Sequence, residues 1–149
     1  MKLTKAWRSQ RVLIEDGRPY FSAATYLPVR SWRFVLPFLL LSGRIERQAK
    51  QTPGLVAYGL RAEPRRGRFW TMSCWTSRET AGAFVKEEPH ATAVRRFANW
   101  AGDGAAFVEW ESRQTEIDWD EAFRRLEHPT TTFNRRRRGE APETGANPG

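Results

Sequence analysis

Cysteine is almost absent from this sequence, with Cys74 the only one among 149 residues. A single cysteine excludes an internal disulfide and any metal site built from several cysteines. Cys74 falls in the middle of a predicted strand, where a small buried side chain is a more common role than a reactive thiol. We therefore predict that Cys74 is a core residue.

Long hydrophobic runs are missing as well. The longest, Phe34 to Leu41, is about eight residues and contains Pro37, whereas a membrane-spanning helix needs about 20. The N-terminus also lacks the apolar stretch of a signal peptide. The sequence predicts a cytoplasmic protein without a transmembrane segment.

The excess of positive charge, +8, lies mainly near the two ends of the chain. Residues 1–11 contribute +4 and residues 135–149 contribute +2, which leaves 8 − 4 − 2 = +2 for the rest. The run Arg135–Arg138 is of a type that contacts nucleic acid or anionic membranes. No base-reading or base-stacking pattern accompanies it, so we expect no nucleic-acid partner. A solvated tail is the simpler role for this run, and its function stays open.

The middle of the chain has the composition of one folded domain. Hydrophobic residues make up 40% of the sequence, and seven of them are tryptophans. We predict a flexible basic N-terminus over residues 1–10, a domain over residues 11–127, and a disordered tail over residues 128–149.

Alternation and helical spacing predict the order of the elements. The predicted strands are Arg11–Glu15, Tyr20–Leu27, Leu55–Glu63, Phe69–Trp75 and Ala106–Glu111. The predicted helices are Ser31–Gln51, one capped by Ser77, one restarted at Pro89 and His90, and a closing helix over Asp118–Leu126. The core order β-α-β-β-α-β is that of an α+β, ferredoxin-like fold, with an antiparallel sheet and helices on one face.

The strand Phe69–Trp75 predicts two different sheet faces. Trp70, Met72 and Cys74 share one face, and Phe69, Thr71, Ser73 and Trp75 share the other. We expect the face with Phe69, Thr71 and Phe107 to lie bare in a monomer and to be covered in a homodimer. In the strand Leu55–Glu63 we expect Val56, Tyr58 and Leu60 on one side.

His90 is the candidate catalytic residue. Val94 and Phe97 follow it at i+4 and i+7, so the three share one helix face. A neutral imidazole on an apolar face can act as an acid/base group or bind iron. The alternative is a helix-start residue whose ring is hydrogen-bonded locally.

Aromatic side chains are the candidates for lining a pocket. Trp70 and Trp75 suit a flat aromatic ligand, although large aromatics are more often core residues. Tyr58 and Tyr26 could hold a substrate oxygen or find a backbone partner.

Three segments resemble the antibiotic-biosynthesis-monooxygenase-like family: Thr52–Tyr58, Phe69–Trp75, and Ala83-Phe84 followed by His90. The similarity extends from Thr25 to Leu126. Within the family the chain is most similar to spheroidene-monooxygenase-like proteins and to a bacterial branch with the same Trp-Asp/Glu-x-Ala ending, here Trp119–Ala122.

The resemblance implies a dimeric α+β barrel with a pocket between sheet and helices in each protomer. Members include cofactor-independent oxygenases of polyketide aromatics and haem-degrading monooxygenases. The haem-degrading members use an Asn on the first strand, a Trp on the third and a His on the second helix. Trp75 matches that Trp by position and His90 matches the helix, but the strand Tyr20–Leu27 contains no Asn.

These observations lead to three hypotheses. The first is an enzyme that oxidises a hydrophobic, aromatic or polyene small molecule, with Trp70, Trp75, Tyr58, Tyr26 and Phe84 around the substrate and His90 as acid/base group or haem ligand. Its cofactor is either none or haem. The second is a non-catalytic barrel that binds haem or an apolar ligand. The third is an interaction protein whose basic tails tether it to anionic surfaces.

Overall fold

The computed structural model describes residues 2–9 and 18–134. Its strands are β1 (Leu3–Arg8), β2 (Tyr20–Pro28), β3 (Leu55–Glu63), β4 (Arg68–Trp75), β5 (Ala105–Ser112) and β6 (Thr131–Phe133). Its α-helices are α1 (Val35–Gln51), α2 (Arg78–Lys86), α3 (His90–Trp100) and α4 (Trp119–Leu126), and 3-10 turns occupy Trp32–Phe34 and Pro64–Arg66. The predicted strand Arg11–Glu15 and the run Arg135–Arg138 lie outside the described residues.

The strands form one antiparallel sheet in the order β1-β3-β4-β2-β5-β6. Helix α1 connects β2 to β3, and helices α2 and α3 connect β4 to β5. The inner strands β3-β4-β2-β5 with these connections are the predicted ferredoxin-like arrangement. The α+β fold class is therefore confirmed.

The two edge strands were not predicted. Strand β1 pairs with β3 from Leu3 opposite Ala62 to Arg8 opposite Ala57, so residues 3–8 are not the flexible segment that we expected. Trp7 packs against the core while its neighbours on β1 stay exposed. Lys and Arg are common on edge strands, because they discourage pairing with other chains. Strand β6 likewise falls within the segment predicted to be a disordered tail, and it pairs with β5.

Helix starts follow the predicted capping residues. The Oγ atom of Ser77 accepts a hydrogen bond from the backbone N–H of Thr80 at 3.2 Å, at the start of α2. At α4, Asp118 accepts from the N–H groups of Asp120 and Glu121 at 3.0 and 3.1 Å. These acidic residues therefore serve the N-terminus of a helix, as the sequence indicates.

The sheet has a different element packed on each face. Helices α1, α2 and α3 cover the face of Phe69 and Trp75, which are 0% and 1% exposed. Helix α4 packs on the other face, where Ala122 joins the cluster that contains Met72. The prediction that the Phe69 face lies bare for dimerisation is wrong. Both faces carry apolar side chains, so alternation separates them but does not tell which one the helices cover.

A β-bulge at the start of β3 changes the sheet face on which the first side chains of the strand lie. Leu55 pairs with Trp75 while Ala57 pairs with the next residue along β4, so Val56 is the extra residue. As a result, Leu55 and Tyr58 pack with Trp75 beneath the helices, whereas Val56 and Ala57 pack on the α4 side. The expectation that Val56 and Tyr58 share a face is wrong, because it assumes an uninterrupted strand.

The lengths and compositions of the helices also bear on the membrane prediction. Over residues 2–9 and 18–134, no helix has both the length and the apolar character needed to cross a bilayer.

Candidate functional site

A cavity of about 740 Å³ lies between the sheet and helices α1, α2 and α3. Its floor is formed by side chains of three neighbouring strands: Phe21, Ala23, Thr25 and Leu27 on β2, Thr71, Ser73 and Trp75 on β4, and Phe107 and Glu109 on β5. Its walls are apolar residues of the three helices, such as Phe38, Leu41, Phe84 and Phe97. The pocket predicted between sheet and helices therefore exists, on the face that we expected to be bare.

His90 lies in the wall of this cavity at the first position of α3. Val94 and Phe97 line the same cavity, so the predicted shared helix face is present. Within the described part of the chain, the buried Nδ1 atom of His90 has no hydrogen-bond partner. Burial lowers the pKa of His90 below its usual value, and the nearby backbone of Val85 and of His90 itself offsets only part of this effect. The ring is therefore neutral at pH 7.

Gln48, on α1, holds the turn from which His90 projects. Its side-chain amide donates to the carbonyl oxygens of Phe84 at 3.0 Å and Glu87 at 3.4 Å. Its Oε1 atom accepts from the backbone N–H of His90 at 3.0 Å. One side chain thus joins α1 to the end of α2 and the start of α3. Gln48 could not be singled out from the sequence, because a single glutamine on a helix carries no sequence signal.

An aromatic row connects the sheet to His90. The ring centroids of Trp75 and Phe84 lie 5.0 Å apart, and those of Phe84 and His90 lie 4.8 Å apart. Tyr58 belongs to the same buried cluster, and burial raises the pKa of its hydroxyl well above the usual range. The structure therefore brings together four of the predicted site residues, Tyr58, Trp75, Phe84 and His90.

Trp70 and Tyr26 lie on the opposite face of the sheet. They are cross-strand partners whose rings stack with centroids 5.4 Å apart. The ring of Trp70 also meets Phe123 of α4 edge-on at 6.0 Å. Neither residue is among those lining the cavity. Trp70 and Trp75 are five residues apart on one strand, and an odd separation places side chains on opposite faces.

Polar groups in the cavity come from residues that the sequence did not single out. The hydroxyls of Thr25 and Thr71 face each other across the β2–β4 pair at 2.5 Å. Arg78 forms an ion pair with Glu109 at 2.7 Å, and its guanidinium lies 5.3 Å from the ring centre of Phe21. Finding these pairs requires the strand register, which the sequence does not reveal.

Cys74 is separate from this site. It is 0% exposed and belongs to the α4-side cluster, which confirms the predicted core role. Ser22 donates a hydrogen bond to its Sγ atom at 3.6 Å, and burial raises the pKa of the thiol. Among the residues that the structure describes, no group of three His, Cys, Asp or Glu side chains could hold a metal ion.

Comparison with known proteins identifies the fold. No protein-family model matches the chain, and no curated protein sequence does. Solved structures do match. A candidate antibiotic biosynthesis monooxygenase from Nitrosomonas europaea has a TM-score of 0.57 at 15% identity, over 67% of this chain and 96% of that chain.

Two further structures show the same likeness. SnoaB, a cofactor-independent oxygenase from Streptomyces nogalater, has a TM-score of 0.53 at 12% identity, over 64% of this chain and 95% of that chain. A conserved protein from Methanosarcina mazei has a TM-score of 0.57 at 9% identity, over 64% of this chain and 95% of that chain. The chain thus has the fold of antibiotic-biosynthesis-monooxygenase proteins, as the resemblance implied. A closer relation to spheroidene-monooxygenase-like proteins is not among these findings.

Proposed function

We propose that this protein is a monooxygenase-like enzyme that binds a hydrophobic small molecule in the cavity and oxidises it with O₂. The observation that carries the proposal is the His90 ring, which lies in the wall of a largely apolar cavity beside Phe84 and is kept neutral by burial. A neutral imidazole offers one hydrogen-bonding group in an otherwise apolar wall, an arrangement typical of small-molecule sites.

The cavity favours a flat, largely apolar ligand that carries one or two oxygen atoms. Its volume, about 740 Å³, lies within the range of roughly 300–1,000 Å³ typical of small-molecule sites. Phe97 and Phe107, both partly exposed, offer aromatic surfaces for an aromatic or polyene group. The paired hydroxyls of Thr25 and Thr71 can exchange their mutual hydrogen bond for one to a substrate oxygen.

The chemistry that suits His90 is proton abstraction. A neutral imidazole can accept a proton from an acidic O–H or C–H group of the substrate, and burial keeps it neutral at pH 7. The resulting anion is electron-rich and can react with O₂. Where the reacting group is an activated CH₂, its conversion to C=O by O₂ releases one water and needs no other reductant. The likeness to SnoaB, a cofactor-independent oxygenase, supports this reaction class.

The residues present are also compatible with haem, the second cofactor hypothesis. His90 offers one nitrogen ligand, and Lys86 on α2 offers a cation for a haem carboxylate, whereas Arg78 would have to exchange its ion pair with Glu109. A bound haem would supply an iron centre that activates oxygen. The alternative functions, non-catalytic storage of haem or an apolar ligand and an interaction role for the basic tails, remain hypotheses.

Native purification followed by mass spectrometry tests for a bound ligand, and a Soret band tests for haem. His90→Ala is expected to fold and to lose at least roughly a hundredfold in turnover of the identified ligand. His128→Ala is the matched control, since His128 is exposed and does not line the cavity. A stable and fully active His90→Ala variant would remove His90 from the site.

A further inference from the structure

One side of α1 and its leading 3-10 turn exposes large apolar side chains. Trp32 is 83% exposed, Leu36 64% and Leu40 63%. They are spaced by four residues, so they lie along one side of the helix. The fold does not need them, because α1 buries its other side through Phe38 and Leu41.

The same side of the helix carries positive charge. Arg33, Arg44 and Arg47 are exposed. Within residues 2–9 and 18–134 neither Arg33 nor Arg44 forms an ion pair, and Arg47 donates to the Gly43 carbonyl oxygen of its own helix at 3.4 Å. We name the six exposed side chains Trp32, Arg33, Leu36, Leu40, Arg44 and Arg47 the α1 ridge.

No carboxylate of the described residues forms an ion pair with an arginine of the ridge. Glu46 is the only acidic residue of α1, and its side chain is 17% exposed. It accepts from Lys50 at 2.8 Å and lies 4.0 Å from the Nζ atom of Lys5. The ridge thus combines an apolar half with a cationic half whose arginines form no ion pair within residues 2–9 and 18–134.

We propose that the α1 ridge docks on the surface of an anionic lipid bilayer, with α1 lying in the plane of the interface. Trp32, Leu36 and Leu40 would enter the boundary between headgroups and acyl chains, as in other interfacial amphipathic helices. Tryptophan favours this depth, because its ring is apolar and its indole N–H is polar. Arg33, Arg44 and Arg47 would contact lipid phosphates.

Charge complementarity favours an anionic bilayer over a second copy of this chain. Two copies meeting through this ridge would bring both sets of arginines to one interface, and none of the six ridge residues is an acid that could pair with them. An anionic surface instead attracts every cation of the ridge. The docking does not depend on the function of the cavity, because the ridge and the cavity lie on opposite sides of α1.

Vesicle co-sedimentation of the full chain tests the proposal. Phosphatidylcholine vesicles with an equal part of phosphatidylglycerol are compared with pure phosphatidylcholine vesicles. The chain is expected to bind the anionic vesicles, and the triple variant Trp32→Ala/Leu36→Ala/Leu40→Ala to bind them at least about tenfold more weakly. The variant Arg33→Gln/Arg44→Gln/Arg47→Gln is expected to lose roughly fivefold in affinity for the anionic vesicles per arginine replaced.

Two controls keep the test decisive. Leu3→Ala removes an apolar side chain that is 44% exposed on edge strand β1, and it should leave binding unchanged. Thermal unfolding should be similar for all variants, because the replaced side chains are exposed. Absence of binding to the anionic vesicles would overturn the proposal. It would also be overturned if both ridge variants bound as tightly as the parent chain, since binding would then come from the basic ends of the chain. A lipid-free dimer that the ridge variants dissociate would also overturn it, since the ridge would then be a contact between copies.

Discussion

The ring of Phe84 meets His90 edge-on, with centroids 4.8 Å apart and planes inclined by 61°. This edge supplies neither a hydrogen bond nor an opposite charge to the imidazole. Desolvation therefore dominates, and it disfavours the protonated ring.

The first prediction concerns pH. Because the pKa of His90 is lower in the folded protein than its unfolded value of about 6.5, the unfolded chain takes up a proton first on acidification. The contribution of His90 to stability is therefore complete above about pH 6.5 and falls as the pH drops toward the folded pKa. Denaturant unfolding between pH 7 and 5 should show this loss of stability. The loss over the same pH range should be smaller for the variant His90→Phe. An NMR titration placing the folded pKa above 6.5 would contradict the prediction.

A second prediction tests the hydrogen bonds of Gln48. Gln48→Leu leaves two carbonyls and the N–H of His90 without their partner, so we expect a loss of about 1–3 kcal/mol in the free energy of unfolding. Gln51→Leu makes the same chemical change at an exposed position of α1 and should stay within about 0.5 kcal/mol of the parent. Equal stability of the two variants in urea unfolding would show that the bridge contributes nothing.

A third prediction compares two glycines. A Cβ atom at Gly59 would lie 2.9 Å from Ile117 Cγ2 and 3.1 Å from Trp119 Cζ2. We expect Gly59→Ala to cost about 1–3 kcal/mol through overpacking. Gly43→Ala adds the same methyl group in α1, where nothing lies within 4 Å, and should stabilise the protein by about 0.5–1 kcal/mol. Thermal unfolding measures the stability of both variants. A change of the same sign in their melting temperatures would argue against this packing.

The fourth prediction is the homodimer, which the family resemblance implies. Light scattering at micromolar concentration should give about twice the chain mass of 17.3 kDa. Phe107→Glu should leave the oligomeric state unchanged, because Phe107 faces the cavity rather than an open sheet surface. A species of 17.3 kDa throughout would rule out the dimer, and dissociation by Phe107→Glu would restore the interface that we first predicted.

Local patterns predicted much of the inner fold. The alternation from Phe69 to Trp75 sorted these residues correctly into two faces, and Ser77 capped a helix as expected. The same alternation separates Trp70 from Trp75, so placing both around one ligand contradicted it. Four of the six predicted site residues line the cavity. They could be predicted because helical spacing and strand alternation depend only on residues close together in the sequence.

Long-range pairing could not be predicted from one sequence. Strand β1 is stabilised by β3, some fifty residues away, and its basic residues Lys5 and Arg8 resemble those of a solvated terminus. The hydroxyl pair of Thr25 and Thr71 depends on the β2–β4 register. The covered face of the sheet depends on where the connecting helices pack, which alternation does not encode.

The bulge in β3 also determines where the chain could change length. Leu55 and Ala57 already oppose neighbouring residues of β4, so deletion of Val56 would leave every pairing of β3 with β4 in place. Deletion of Leu60, in contrast, would shift one part of the strand by a residue and turn its side chains to the other face. Sequences that share this sheet can therefore lack the residue at position 56 and keep Tyr58 beside Trp75.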